Sequence, residues 1–454
     1  MHQTKFALAV LAAAALAGCG GNGSTGGDQS VKIKYSSQVV FGDSLSDVGT
    51  YAVGAVAQMG GGKLTINGDN TATNPALTGK NWTELIAAQL GLPAPCAAQT
   101  GLKGDATKGF SVPVVNHPGC YGYAQGGARV TAPIGPNNAA TGSALGALTV
   151  PVSTQIGNHL TAVGGKFKGD EVVFVTVGGN DTAAQLGQLQ IGANGIALVT
   201  GKKVFGTTLA GLLAAGATDP ASAGPIIGAA IATEAAKSMS TDQSVVTAGV
   251  TAAVGQGNRA VADPAVAGPI VLKAKAAATA AGTQAGQDYV TANGPAAVAA
   301  MATAGVETAD LVKNQIIAKG ANYVVVNNLP DFGGAPVGKA QSAATQTLIA
   351  AMVDAYNTKL KAALSGETKV LLVDLYSISH DQIINPAPYG LTNTTVAACG
   401  PNPLDSSALG CTGKNVIAGD ISHYMFADDR HPTPFEYSLI ARYVAEQMII
   451  RGWL

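Results

Sequence analysis

Residues 37–47 read Ser37-Gln38-Val39-Val40-Phe41-Gly42-Asp43-Ser44-Leu45-Ser46-Asp47. Val39-Val40-Phe41 is a short apolar run with two β-branched residues, and Gly42 closes it. This pattern predicts a buried strand from Ser37 to Phe41. A serine just past such a strand, ahead of an expected helix, falls at the carboxyl edge of a sheet. Open α/β folds place their sites there. A backbone N–H at that turn can donate to an oxyanion.

The same grammar recurs along the chain. Glu171–Val177 (EVVFVTV), Asn322–Val326 and Lys369–Val373 (KVLLV) read as further buried strands. Helical spacing predicts helices over Trp82–Leu90, Thr308–Lys319 and Gln341–Leu364, the first two followed by Gly91 and Gly320. Thr433-Pro434-Phe435-Glu436 opens a last helix, with Thr433 as N-cap, Pro434 at the first position and Glu436 as capping-box partner. Strands alternating with helices predict an α/β fold whose parallel sheet is covered on both faces. From about Leu186 to Ala304 the texture shifts to Ala, Gly, Thr and Val, with Phe205 and Tyr289 as the only aromatics. This stretch reads as small-residue helices broken by Gly and Pro, inserted as a subdomain or as a lid over a cleft.

Composition narrows the function. The chain has 454 residues, 12% of them charged, and a net charge of -1. It shows no basic stripe of the kind that binds nucleic acid. The first residues are an address: Lys5, an apolar run from Phe6 to Ala17, then Leu16-Ala17-Gly18-Cys19. Small residues before a cysteine resemble a bacterial lipobox, which implies that Cys19 becomes a lipid-bearing N-terminus. Residues 1–18 are then a signal peptide and 19–36 the lipidated cysteine with a flexible tether. Gly20 rather than Asp follows the cysteine, which by resemblance to retention signals points to the outer membrane. No later stretch holds eighteen uninterrupted apolar residues, so no transmembrane helix is expected.

Setting Cys19 aside leaves four cysteines in an oxidising compartment. Three connectivities are open. Local pairing, Cys96–Cys120 and Cys399–Cys411, is the simplest and is the expectation. No CxxC, HExxH or GK[ST] motif occurs, and Gly255-Gln256-Gly257 lacks the preceding strand of a dinucleotide fingerprint.

Three more pieces carry chemistry. In Asp428-Asp429-Arg430-His431-Pro432-Thr433 a carboxylate three residues before a histidine can hold one imidazole nitrogen while the other takes a serine proton. Only spacing favours Asp428 over Asp429. Gly178-Gly179-Asn180-Asp181 puts the Asn180 amide at the same sheet edge, and Tyr123-Ala124-Gln125-Gly126-Gly127-Ala128 offers a glycine N–H.

These pieces, in this order, resemble the GDSL or SGNH hydrolases. Asn328–Gly333 (NLPDFG) and Asn385–Asn393 (NPAPYGLTN) add to the resemblance, the latter to a secreted bacterial phospholipase, haemolysin and esterase branch. The resemblance implies a three-layer α/β/α, flavodoxin-like sandwich over 37–185 and 305–454, with 186–304 inserted. It implies a carboxylic ester hydrolase with Ser44 as nucleophile, His431 as base and Asp428 as its orienting partner. Ser44, Gly127 and Asn180 would form the oxyanion hole. Gly122 stands where the family often has Asn, which leaves Gly126 open as donor in place of Gly127. No metal or organic cofactor is implied. The implied substrates are acyl esters or phospholipids, with O-acetylated polysaccharide as the alternative. A non-catalytic surface lipoprotein on the same scaffold is the competing reading.

Overall fold

The computed structural model describes residues 33–68 and 78–454. The signal segment, Cys19 and most of the tether lie outside them. Strands β1 (Gln38–Gly42), β2 (Gln99–Lys103), β3 (Ser111–Asn116), β4 (Val172–Thr176), β5 (Tyr323–Asn327) and β6 (Val370–Val373) form two sheets. The main one is parallel, in the order β1-β4-β5-β6, with Val39 opposite Val173 and Val173 opposite Val324. β2 and β3 make an antiparallel ribbon beside it. Beyond β1, residues 121–123 run as a further parallel edge: Val40 donates to the Tyr121 carbonyl and Tyr123 to that of Val40.

The helices of eight or more residues are α1 (Trp82–Gln89), α2 (Val152–Ala162), α3 (Gly179–Ala214), α4 (Pro220–Ala235), α5 (Asp242–Gly255), α6 (Pro264–Leu311), α7 (Ala343–Ala363), α8 (Leu375–Ile384) and α9 (Pro434–Arg451). One face of the sheet packs Phe41, Val175 and Val326 against Ile156 of α2, Met301 of α6, and Met352 and Tyr356 of α7. The other packs Val40, Phe174 and Val325 against Trp82 and Ile86 of α1 and Tyr437 and Val444 of α9. The strands are buried on both sides, which is why they read as continuous apolar runs.

The expected strands and the helices at 82, 343 and 434 are present, and both local disulfides are formed, Cys96–Cys120 and Cys399–Cys411. Several expectations are corrected. Residues 308–319 are not a separate helix: α6 runs through to Leu311 and ends in a π turn and a 3-10 turn. Pro225, Pro269 and Pro295 sit inside α4 and α6 without ending them. Pro269 and Pro295 lie on exposed faces of α6. The helix expected after Ser44 starts only at Gly54 and is short, Gly54–Gln58. Asp47 instead accepts from the N–H groups of Gly49 and Thr50 and holds the chain in turns. Thr433 does cap α9 through the Glu436 N–H, but its own N–H goes to the Met425 carbonyl, so the reciprocal half of the capping box is not made. The fold also begins before residue 37: Tyr35 is buried and its hydroxyl donates to the Trp453 carbonyl.

One helix among the described residues, Gly179–Ala214, is long and apolar enough to cross a membrane by length and composition. The count of uninterrupted apolar residues did not register it, because Gln, Asn, Thr and two lysines punctuate it. Its first turn holds Asn180 at the sheet edge, and its length packs along α6. The contact is close because it uses small residues: a Cβ on Gly282 would lie 2.8 Å from the Ala197 carbonyl oxygen.

Candidate active site

Four chain segments leave the carboxyl edge of the sheet and converge. β1 delivers Asp43 and Ser44. The edge segment 121–123 delivers Gly126 and Gly127. β4 delivers Asn180, and the loop before α9 delivers Asp428 and His431. Gly42 makes the first turn: a Cβ there would meet the Thr176 carbonyl oxygen at 2.3 Å. Gln155 of α2 grips it by both backbone groups, accepting from Gly42 N–H at 2.9 Å and donating to its carbonyl at 2.8 Å.

Ser44, Asp428 and His431 form one hydrogen-bonded line. His431 Nε2 lies 3.0 Å from Ser44 Oγ, and His431 Nδ1 lies 2.8 Å from Asp428 Oδ2. A carboxylate only accepts, so Nδ1 carries the proton and Nε2 is left to accept from the serine hydroxyl. Asp428 is held in turn by the N–H groups of Ala408, Arg430 and His431 at 2.8, 3.0 and 2.8 Å. Burial alone would raise its pKa, but His431 and these donors outweigh it and hold the carboxyl well below the usual range. Asp429 points elsewhere: it is exposed and takes both ends of the Arg430 guanidinium.

Two N–H groups face the cleft unused. Among the described residues no protein group accepts from the N–H of Ser44 or of Gly127. The neighbouring Gly126 N–H, by contrast, is committed to Asp47 Oδ2 at 2.9 Å. Gly127 sits at φ 83°, a left-handed conformation that favours glycine. The Asn180 amide gives one hydrogen to the Ala128 carbonyl at 2.9 Å and keeps the other. Gly122 has a steric reason: a Cβ there would press on the Cys96 carbonyl oxygen and Val48, each at 2.8 Å.

Asp47 is a residue that motif reading quoted without assigning a task. It ties the loop after Ser44 to the Gly126-Gly127 turn, since one carboxylate accepts from Gly49, Thr50 and Gly126. Asp43 is buried beside Ser44, and burial pushes its pKa up to about 7 against the N–H of Leu45 and the charge of His431.

The cleft is asymmetric about Ser44. On one side is a narrow apolar pocket of about 80 Å³, walled by Ala183, Leu186, Phe332, Val337 and Ile349. On the other is a broad basin of about 780 Å³ with a mixed lining, Lys108, Asn137, Asp405 and Ser406 standing beside Phe110 and Leu404. Asn137, Asp405 and Ser406 all have positive φ, at 67°, 52° and 63°. Such strain concentrates where a site needs a fixed shape. Pro330-Asp331-Phe332 of the NLPDFG turn supplies one wall of the apolar side.

Known proteins similar to the chain are esterases by name. It is 34% identical over 99 residues to the GDSL esterase/lipase At2g40250 of Arabidopsis thaliana, covering 20% of this chain and 27% of the relative. It is 27% identical over 154 residues to the GDSL esterase/lipase At1g58430 of the same plant, covering 31% and 41%. Lipase 1 of Photorhabdus luminescens is 34% identical over 82 residues, 18% and 12% of the two chains. The chain thus spans less than half the length of these relatives. No family model matches it.

Proposed function

We propose that the protein is a serine carboxylic-ester hydrolase of the GDSL type. The observation that carries this is the Asp428–His431–Ser44 line beside two unused N–H groups, the arrangement that acyl transfer needs. The relatives' names support an ester bond as the target.

In this reading Ser44 Oγ attacks the acyl carbonyl carbon while its proton passes to His431 Nε2. The carbonyl π pair moves onto oxygen, where the N–H groups of Ser44 and Gly127 and the Asn180 amide receive it. The C–O bond to the alcohol then breaks, and His431 returns the proton to the departing oxygen. Water repeats the sequence on the acyl-serine and frees the acid and Ser44. Asp428 keeps the imidazole in the accepting tautomer and offsets the positive charge it gains. The narrow apolar side takes the acyl chain, and the broad basin of mixed lining takes the alcohol.

A second reading has a specific observation behind it. The small acyl pocket and the broad basin, with Lys108, Asn137, Asp405 and Ser406 among its lining, also suit an acetyl group on a polysaccharide. A panel of p-nitrophenyl acetate, butyrate and octanoate, a phospholipid and an acetylated xylan separates the two. Hydrolysis by wild type, lost in Ser44→Ala with an unchanged circular dichroism spectrum, supports the ester hydrolase. Equal turnover in the two proteins overturns it. We further propose export and lipid anchoring at Cys19 in the outer membrane; mass spectrometry of the mature N-terminus tests the lipidation.

A further inference from the structure

We propose that the paired helices α3 and α6 form a lipid-facing surface that docks on anionic membranes. This is independent of the catalytic reading. Between the hydrolase body and the far tip, α3 has α6 on one side and an open outer face. α4 and α5 cover it only farther along, around Leu209 and Leu213.

The open stretch carries large aliphatic side chains in water. Ile191, Leu198 and Val199 are 76, 59 and 67% exposed, and Leu272 on α6 is 68% exposed. Positions 191, 195, 198 and 202 follow helical spacing, so Ile191, Gly195, Leu198 and Lys202 share one stripe. Ile191 and Leu198, two turns apart on this stripe, with Val199 next to Leu198, are unlike the scattered single residues of an ordinary surface.

Charge names the partner. Residues 182–218 and 264–287 contain no Asp or Glu, yet hold Lys202, Lys203, Lys273 and Lys275. Among the described residues none of these four lysines is in an ion pair. A groove brings the two features together, with Leu198, Lys202, Phe205, Lys275 and Thr279 on its walls. Its other charged groups are Asp242 and Lys237, and Lys237 is already paired with Glu234. Aliphatic side chains flanked by unpaired lysines match an acyl layer beneath anionic headgroups. An uncharged apolar partner would leave the lysines unanswered.

The test places an environment-sensitive fluorophore on Leu198→Cys in the full chain carrying Cys19→Ser. The same label goes on Ser365→Cys, exposed in the turn after α7, as the control. Vesicles are phosphatidylcholine alone or with 30% phosphatidylglycerol. The expected result is a blue shift and shielding from aqueous iodide at 198, with the mixed vesicles only, reversed by high salt. The label at 365 stays in water. Each lysine near such a surface is worth about fivefold in partitioning, so Lys202→Glu with Lys275→Glu reduces binding more than tenfold. Helical circular dichroism reports that each variant is folded. An unchanged emission at 198, or a shift that grows with protein concentration and needs no lipid, overturns the proposal; the latter marks self-association.

Discussion

Ala408 donates its backbone N–H to Asp428 Oδ2 at 2.8 Å, from inside the loop closed by Cys399 and Cys411. The disulfide therefore acts on the carboxylate that orients His431, through one peptide group. A loop of this size contributes roughly 3 kcal/mol in the chain-entropy account.

Removing that staple should cost activity as well as stability. Cys399→Ser with Cys411→Ser is expected to lower the melting temperature. Turnover on a soluble ester should also drop about tenfold at temperatures where the variant is folded, as one charge-assisted hydrogen bond is loosened. Full turnover in the folded double variant would show that the Ala408 contact is idle.

The adjacent carboxylates should separate cleanly. Asp428→Asn is expected to reduce kcat by about 10⁴, the scale for a histidine left in the wrong tautomer. Asp429→Asn should stay within a factor of about three, because the exposed Asp429 carboxylate pairs with the half-buried Arg430 guanidinium and makes no bond to His431. Steady-state kinetics of the two purified proteins decides this, and a larger loss at Asp429 refutes the spacing argument.

Asp47 and Asn180 should fail in different ways. Asn180→Ala removes a donor to the oxyanion and should reduce kcat by about 10²–10³. Asp47→Asn leaves the nucleophile and base untouched; its remaining oxygen can still accept from Gly49 and Thr50, but its NH2 replaces the oxygen that accepts from Gly126 and frees that N–H. Its kcat loss should come with a raised KM and increased hydrogen exchange at residues 124–128. A kcat-only effect with unchanged exchange would contradict a positioning role.

Phe332 should set acyl length. The apolar pocket beside Ser44 and a second apolar chamber lined by Ile378, Ile383 and Met425 share Leu45, Phe332 and Arg430 as their partition. The Phe332 ring also covers Gly179, where a Cβ would approach it to 2.5 Å. In Phe332→Ala the ratio of kcat/KM for octanoyl over acetyl esters should rise at least tenfold. An unchanged ratio would mean that the chamber does not communicate with the site.

His159 should make the fold acid-sensitive. It is buried among Phe41, Tyr121, Tyr123 and Phe167, and burial lowers its pKa from 6.5 to about 4, with Glu171 opposing. The unfolded chain therefore binds a proton between these values that the native state refuses. Stability is intact above pH 6.5 and falls as pH drops toward 4, by up to about 1.4 kcal/mol per pH unit. Asp43, raised to about 7, titrates with the opposite sign in the same interval. The measurement is therefore the difference between wild type and His159→Leu in urea unfolding at pH 7, 6 and 5. A pH-independent difference would refute it.

That Ser44, His431 and Asp428 belong together was legible because each sits in a short local pattern, and the structure brings them into one hydrogen-bonded line. Ser44 follows a β-branched run, and Asp428 and His431 are three residues apart. The choice between Gly126 and Gly127 was not, since it turns on Asp47 reaching across 79 residues to take one of the two N–H groups. The four strands of the parallel sheet were legible as apolar runs, whereas the β2–β3 ribbon, largely exposed and mixed in composition, was not. The limits of α6 were not: Thr308–Lys319 shows amphipathic spacing by itself, and nothing local reveals that it continues a helix starting at Pro264. Pro269 and Pro295 read as breaks because proline removes one backbone donor and crowds the preceding turn. On a long helix packed along α3 and α7, that local cost is spread over many supporting contacts. Glu436 was read as a helix cap, whereas it is buried and its Oε2 has no partner among the described residues.

Ser44 and His431 meet across 387 residues of chain. In the mechanism proposed above, the nucleophile is made early in synthesis and its base near the end. Until the loop before α9 docks, Ser44 is an ordinary hydroxyl without His431 as acceptor for its proton. On that reading an extended chain is chemically silent toward esters, activity switches on only with the final docking event, and the order of synthesis itself works as a safety catch.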